Sequence, residues 1–575
     1  MSQQENNNMD KHFYRASAVD FNKIPGSPIA YWVPNFDIFN LPNIREKWAS
    51  GGRIKTHDGQ KYIRYIWEVS SKNDQWKRLI KGGDFRKHFG NEDFLVDWSA
   101  DAISFYEMNG GLYPEKFQSK EGICWSKITS SLQSFRIKRA ETEYDSASPT
   151  IFNDNFICDK YLLSFLNSKI SQFLLKAINP TLNTQVADVM ALPICEIDIS
   201  TQKNIENAED KLISISADDW NSYETSWEFN HLPLLRHDCH NSTVKNTYQK
   251  TRLHWQDKTL EMQHLEKENN LFFIDAYGLQ NELTPDVPLK EITLTCNPHY
   301  RYGGNLTEQE REERLQSDTI AELISYAIGC MMGRYSLDRE GLVYAHAGNE
   351  GFKTLVEEDT YTSFPADSDG ILPLSSEAWF EDDIAARVEE FVRTVWGNEH
   401  LEENLQFIAD SLCLAAIKPV KKGGEISRET IRRYLSTQFY KDHLKTYKKR
   451  PIYWLFSSGK EKAFECLVYL HRYNEATLPR MRTEYVTPLL GQMASRIDRL
   501  RLQQNEADTV EAKRIGKEID SLTKQLTELR AFDDQLKHYA DMKIPLNLDD
   551  GVKFNYGKFG TLLAEVKAIT GDKAE

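Results

Sequence analysis

Residues 160–177 read KYLLSFLNSKISQFLLKA, and this run decides the class of the first domain. Its apolar residues recur at intervals of three and four, the spacing that places them on one face of an α-helix. Asn179-Pro180 ends the run, and Leu192-Pro193-Ile194 opens another extended piece. Upstream the pattern changes. Short aromatic and β-branched runs at Ile29–Val33, Tyr62–Trp67 and Phe94–Trp98 alternate with the pairs Gly51-Gly52, Gly82-Gly83 and Gly110-Gly111, as strands alternate with turns. Residues 13–200 therefore read as a strand-rich α+β domain.

Beyond residue 200 the sequence becomes helical. Residues 201–283 form a helical connector, with Trp220, Trp227 and Trp255 as core candidates and an amphipathic helix from Lys258 to Tyr277 stopped by Gly278. Residues 284–484 are mixed and mainly helical, with helices expected over 320–332, 379–395 and 403–417, and Thr293 to Cys296 reads as a strand. Residues 485–541 carry Met493, Ile497 and Leu500, then Ile515, Ile519, Leu522, Leu526, Leu529, Phe532, Leu536 and Tyr539, with charged residues between. That is a coiled-coil-like seam. Its polar middle, 503–512, allows one long helix or an antiparallel hairpin turning near Asn505. The hairpin is preferred because two seams on one chain can bury each other. Residues 542–575 close the chain, and the polar stretch 1–12 reads as disordered. The fold class is α+β multidomain, a strand-rich domain followed by mostly helical ones with a helical arm.

With 575 residues and 66.7 kDa, three or four domains are expected, and 40% hydrophobic content supplies their cores. A mean hydropathy of -0.58 and the lack of any apolar run near 18 residues speak against a membrane span. MSQQENNNMD has neither a basic nor an apolar signal region. The eight cysteines are scattered, with no C-x-x-C, and fit free thiols in a reducing cytoplasm. His231, His237, Cys239 and His240 are the nearest approach to a metal cluster, and the plainer reading is ordinary polar residues. No metal is expected.

The net charge of -15 seems to oppose a nucleic-acid partner, but binding follows the local field. Residues 421–450 hold ten basic side chains against three acidic ones, and Lys77, Arg78, Lys81, Arg86, Lys87 and His88 surround Gly82-Gly83. No phosphate-cradling G-x-x-x-x-G-K-[ST] is present, and no H-E-x-x-H or G-x-S-x-G. Asn297-Pro298-His299-Tyr300 is close to the N-P-P-Y tetrad with which adenine-N6 methyltransferases hold a flipped base, but no Gly-rich cofactor unit precedes it. A simple turn explains it. The loops of the first domain suit another task. Trp125, Ser126, Lys127, Thr129, Ser130 and Arg136, and then Thr181, Asn183, Thr184 and Gln185, interleave hydroxyls, amides and cations with an aromatic ring. Such groups contact phosphates and read base edges.

Several strings carry a family resemblance: Ile24 to Trp32, Gly82-Gly83-Asp84-Phe85-Arg86-Lys87, Gly122 to Ser126, Asn179-Pro180-Thr181-Leu182-Asn183 through Ile194, Phe272 to Leu279, Ile328-Gly329-Cys330 with Gly333-Arg334-Tyr335-Ser336, Arg450 to Ser458, and Asn547 to Phe559. From about residue 13 onward the sequence resembles the target-recognition region and C-terminal half of the PglX family, the adenine-specific DNA methyltransferases of BREX phage-defence systems. The resemblance implies a module that binds duplex DNA and, because the methyltransferase domain has no counterpart in these residues, no catalytic residue and no bound cofactor. S-adenosylmethionine would accompany the missing domain. It also implies phosphate contacts at Lys81, Arg86, Lys87, Lys138, Arg139, Arg432, Arg433, Lys445, Lys448 and Lys449, and base recognition by the ten loop residues named above. The implied partners are double-stranded DNA, a methyltransferase domain or other BREX components, and phage DNA-mimic inhibitors. Two other readings stay open: methyl transfer through Asn297-Pro298-His299-Tyr300, and a module that docks defence proteins.

Overall fold

In the computed structural model the described residues are 17–571 other than 72, 156–157, 376, 378 and 421–423, so the expectation for residues 1–12 and the charges of Lys421 and Lys422 lie outside them. Helix makes up 51% and strand 9% of the protein, in small sheets among several helices, which is the α+β multidomain class expected. The chain forms two compact units, each built from separated segments: Met1–Ile63, Asp74–Asn221 and Leu253–Asn305 in the first, and Arg64–Asn73, Ser222–Arg252 and Leu306–Glu575 in the second.

The first unit contains β1 (Trp48–Ala49), β2 (Trp76–Ile80), β3 (Phe94–Asp97), α1 (Ala100–Met108), β4 (Gly122–Trp125), β5 (Phe135–Lys138), β6 (Thr142–Tyr144), β7 (Thr150–Asn153), α2 (Lys160–Asn167), α3 (Lys169–Ile178) and α4 (Ile199–Trp220). It also contains the greater part of α5 (Val244–Ala276). One antiparallel sheet has the order β1-β7-β4-β5, with Trp125 opposite Phe135 and Ile123 opposite Ile151. In a second sheet β2 lies between β3, antiparallel, and β6, parallel. Helices α2 and α3 cover the first sheet. Leu162, Leu163, Phe165, Leu166, Ile170 and Leu174 share one core with Ile123, Trp125, Phe135 and Ile151. Burying each such side chain contributes about 1.5–3 kcal/mol.

Three local expectations change for identifiable reasons. The run 160–177 is two helices, because Ser168 takes an extended conformation and its hydroxyl accepts the Ser171 amide at 3.3 Å. Ile29–Val33 makes turns and no strand; the prolines at 28 and 34 remove the ladder donors on either side. Residues 293–296 also form no strand. The amides of Thr295 and Cys296 instead donate to the Asp219 carboxylate at 2.7 and 2.9 Å.

The second unit contains α6 (Glu308–Met331), β8 (Ile371–Pro373), α7 (Ile384–Trp396), α8 (Leu401–Ala415), α9 (Ser427–Tyr434), α10 (Tyr440–Thr446), β9 (Tyr453–Ser457), β10 (Glu465–Tyr469), α11 (Thr487–Glu506) and α12 (Thr509–Asp541). Its sheet has the order β9-β10-β8, all antiparallel. The seam residues resolve into a hairpin: α11 stops at Glu506, and Asp508 caps α12 through the Val510 and Glu511 amides. Met493, Ile497 and Leu500 share a core with Ile515, Leu522, Leu526 and Leu529, and Arg496 pairs with Glu518 at 2.6 Å. Glu528 of α12 accepts the Ser458 hydroxyl and the Glu461 amide at 2.7 Å, tying the β9–β10 loop to the arm. All eight cysteines are free thiols. Among the described residues no helix is long and apolar enough to cross a membrane.

Candidate nucleic-acid interface

The loops predicted to read bases, 125–139 and 179–185, meet in the first unit. Ile128 and Asn183 form an antiparallel bridge, flanked by the Thr129 amide on the Leu182 carbonyl at 3.0 Å and the Thr184 amide on the Lys127 carbonyl at 2.9 Å. The two loops are therefore one short ribbon. The Trp125 ring beneath it is fully buried and donates Nε1–H to the Thr184 carbonyl at 3.1 Å.

Two amide side chains at the helices fasten the rest of the first loop. Asn167 accepts the Phe135 amide and donates to the Phe135 carbonyl, both at 3.0 Å. Gln172 accepts the Gln133 amide at 3.2 Å and donates to the Gln133 carbonyl at 2.7 Å. Each side chain thus imitates a neighbouring strand, and alternate residues of the loop are held at both their donor and acceptor. Sequence reasoning missed both. The available signal was a pair of amides interrupting the apolar run of residues 160–177.

The ribbon and α3 border a cleft of about 510 Å³, lined among others by Thr129, Gln133, Lys169, Gln172, Lys176, Thr181, Leu182 and Thr184. Of the ten side chains expected to contact bases, Thr129, Thr181 and Thr184 line this cleft, and Ser130 is exposed beside it. Lys127 is half-buried on the ribbon. Lys169 and Lys176, which were not singled out, lie seven residues apart on the polar side of α3. Among the described residues neither Lys127 nor Lys176 forms an ion pair with a carboxylate; Lys169 Nζ donates to the Asp286 carbonyl and helps Lys267 hold the Asp286 carboxyl below its usual pKa.

Several other predicted contacts are engaged within the protein. Gln185 precedes the short helix Val186–Met190; its backbone amide donates to Asp188 Oδ2 at 2.7 Å, and its side chain is exposed. Asn183 is half-buried, with an Oδ1 that accepts no hydrogen bond among the described residues. The Ser126 hydroxyl donates to the Gly83 carbonyl at 2.9 Å. Arg136 is fully buried and donates to the Arg86 carbonyl at 3.0 Å. Burial takes Trp125, Ser126 and Arg136 out of reach of a base edge.

The basic cluster around Gly82-Gly83 is largely internal, a correction to the expected phosphate contacts. Arg86 is 2% exposed, bonds Asp219 Oδ2 at 2.7 Å and the Thr295 hydroxyl at 2.9 Å, and lies over the Trp220 ring. Lys87 is buried against Glu266. His88 Nδ1 meets Glu209 Oε1 at 2.6 Å, and its Nε2 lies 3.4 Å from Glu266. Burial alone would lower the His88 pKa, but the Glu209 carboxylate, aided by Glu266, outweighs it and lifts the imidazole to about 9. Lys138 is buried, donates to the Lys120 carbonyl, and is pushed down to about 8 by desolvation. Arg139 pairs with Glu92 and lies over the Phe89 ring. Lys81 is half-exposed, 5.9 Å from the Phe94 ring.

In the second unit Arg432 bonds Asp383 Oδ2 at 2.7 Å and the Ser375 carbonyl at 3.1 Å, while Asp383 itself is fully buried. Arg433 grips Glu425 at 2.7–3.1 Å. Both guanidiniums are committed to protein carboxylates. Lys445, Lys448 and Lys449 remain exposed.

Comparison with known proteins supplies a relationship. No family model matches the chain. It is 48% identical to the adenine-specific methyltransferase BrxX of Escherichia coli O9:H4 (strain HS), over 97% of its own length and 46% of that protein. It is 34% identical to the adenine-specific methyltransferase PglX of Lacticaseibacillus casei (strain Zhang), again over 97% of its length and 46% of that protein. The chain is a homologue of both methyltransferases. It spans about half the length of these relatives.

In the light of that kinship the tetrad Asn297-Pro298-His299-Tyr300 takes on interest, and its geometry is plain. Asn297 is buried, and its Nδ2 donates to the Leu289 and Ile292 carbonyls at 2.8 and 2.9 Å. Its Oδ1 accepts the His299 amide at 3.1 Å, capping a helical turn, and the Tyr300 hydroxyl donates to the Phe85 carbonyl at 2.5 Å. Both amide hydrogens are spent within the protein, and burial keeps the remaining lone pair of Oδ1 from solvent. The other cluster singled out in the sequence, His231, His237, Cys239 and His240, forms no metal-holding group; none exists among the described residues.

Proposed function

We propose that the chain is the sequence-reading part of a BREX-type adenine-N6 DNA methyltransferase, corresponding to its C-terminal half and acting in host DNA methylation and phage defence. It binds duplex DNA and transfers no methyl group itself. The observation that carries this reading is the joining of two separately predicted loops into one rigid ribbon over a lysine-flanked cleft. A base-reading surface needs hydroxyls and amides on a fixed backbone, because each hydrogen bond to a base edge depends on placement to a fraction of an ångström. Thr129, Ser130, Thr181 and Thr184 supply the polar groups, and Lys127, Lys169 and Lys176 supply phosphate contacts. In the second unit Lys445, Lys448 and Lys449 add to the affinity for phosphates. Methyl transfer from S-adenosylmethionine belongs to a methyltransferase domain outside these residues. The kinship with BrxX and PglX supports the family assignment.

The test is selection of bound duplexes from a pool randomised over the central base pairs. The chain enriches a short motif. Ser130→Ala and Thr181→Ala, both at exposed positions, relax the preference at particular base pairs by roughly 1–3 kcal/mol and leave non-specific binding unchanged. Enrichment of no motif, or of an identical motif at equal strength by both variants, refutes the assignment.

A further inference from the structure

Large apolar side chains at the edge of a polar cleft require a reason, because the same ribbon that places hydroxyls toward solvent also places Leu182, 62% exposed, and Leu132, 42% exposed. Both leucines line the cleft. Neither sits on a loop that can fold it away. Leu182 is fixed through its carbonyl to the Thr129 amide, and the next residue is fixed through its carbonyl to Asn179 Nδ2 at 3.0 Å. Leu132 is followed directly by Gln133, which Gln172 grips at both its amide and carbonyl. Scattered single apolar residues on a surface are ordinary, but two on a pinned backbone beside one cleft form a rigid projection.

The charge around this projection indicates its occupant. Lys127 and Lys176 form no ion pair with a carboxylate among the described residues of a chain whose net charge is -15, and Lys169, which donates to the Asp286 carbonyl, shares the Asp286 carboxylate with Lys267. A partner that is polyanionic outside and apolar between stacked planes fits both features. We infer that Leu182, backed by Leu132, is a wedge that inserts between adjacent base pairs of bound duplex DNA and unstacks them, while the three lysines hold the flanking phosphates. This rests on the reading of the ribbon as a DNA-binding surface. Leucine is one of the side chains used for such insertion, and the resulting kink exposes base edges to the neighbouring hydroxyls. Ile128, 70% exposed and paired with Asn183, faces the other side of the ribbon and is not part of the wedge.

The test measures binding of the full chain to an intact 30-base-pair duplex and to the same duplex with one central unpaired nucleotide, where stacking is already broken. A wedge favours the second, because the cost of unstacking is already met. Wild-type protein is expected to bind the interrupted duplex about tenfold more tightly. Leu182→Ala should bring the ratio close to one, and Leu182→Phe should keep it. Equal wild-type binding to both duplexes, or an undiminished ratio in Leu182→Ala, overturns the wedge, the latter assigning the leucines to contact with protein. Binding of neither duplex is a different result. It removes the DNA-reading function and the wedge with it.

Discussion

Replacing Glu209 by Gln removes the nearer of the two carboxylates that hold the His88 imidazolium, at 2.6 Å against 3.4 Å for Glu266. The folded-state pKa of His88 is lifted from 6.5 to about 9. At 1.36 kcal/mol per pKa unit this is about 3 kcal/mol of preference for the charged ring. Because the folded pKa lies above the unfolded one, the stabilisation is complete below pH 6.5 and is lost as the pH rises through 9. Glu266 keeps part of it, so Glu209→Gln should weaken the first unit by about 2 kcal/mol at pH 6. The deficit should shrink as the pH rises through 9. Hydrogen exchange read on peptides from residues 82–93 and 199–220, wild type against variant across this range, measures it locally. A deficit that does not change with pH would show that His88 is neutral in the fold and that the buried network is held by something else.

Further outcomes follow from the same geometry. Leu522→Ala, at a seam position 3% exposed, should cost about 2–5 kcal/mol and speed exchange along both helices of the arm; a change under about 1 kcal/mol would mean that the seam is covered loosely. Arg432→Gln should destabilise the second unit by about 2–4 kcal/mol, since Asp383 would remain buried without its cation, yet leave the salt dependence of DNA binding unchanged. A flatter salt dependence with unchanged stability would return Arg432 to the DNA surface. Burial raises the Glu224 carboxyl to about 7, against the pull of Ser325 and Arg334. The folded state therefore binds that proton more tightly, and stability falls as pH rises from 4.5 to 7. Glu224→Gln should abolish that fall in urea titrations, and an unaltered pH profile would count against it.

Hydrophobic periodicity located most of the helices and the hairpin arm, because seams at intervals of three and four leave a strong trace in a sequence. Boundaries set by single side chains were less legible. The break at Ser168 depends on one hydroxyl, and the lost strand at 293–296 depends on a carboxylate more than seventy residues away, Asp219. At the candidate site the two loops were legible from composition, while their joining was not, since the Ile128–Asn183 bridge follows from how α3 returns the chain. Basic clusters misled most. A sequence shows that Arg86, Lys87 and Arg432 are cationic but not that Asp219, Glu266 and Asp383 come from distant segments to neutralise them, while Arg433 is neutralised by Glu425 from within its own basic run. Conversely, Lys127, Lys169 and Lys176 stand in no conspicuous run. Their significance appears only when pairing partners are known.

The most direct measurement is the salt dependence of duplex binding by the full chain, wild type against the variant with Lys127, Lys169 and Lys176 all changed to Gln. Each phosphate contact contributes about 0.9 to the slope of log affinity against log salt. If the ribbon and α3 form the DNA surface, the triple variant folds normally and its slope is shallower by about 2 to 3. An unchanged slope in a folded variant, with wild-type affinity retained, would place the DNA elsewhere and contradict the account.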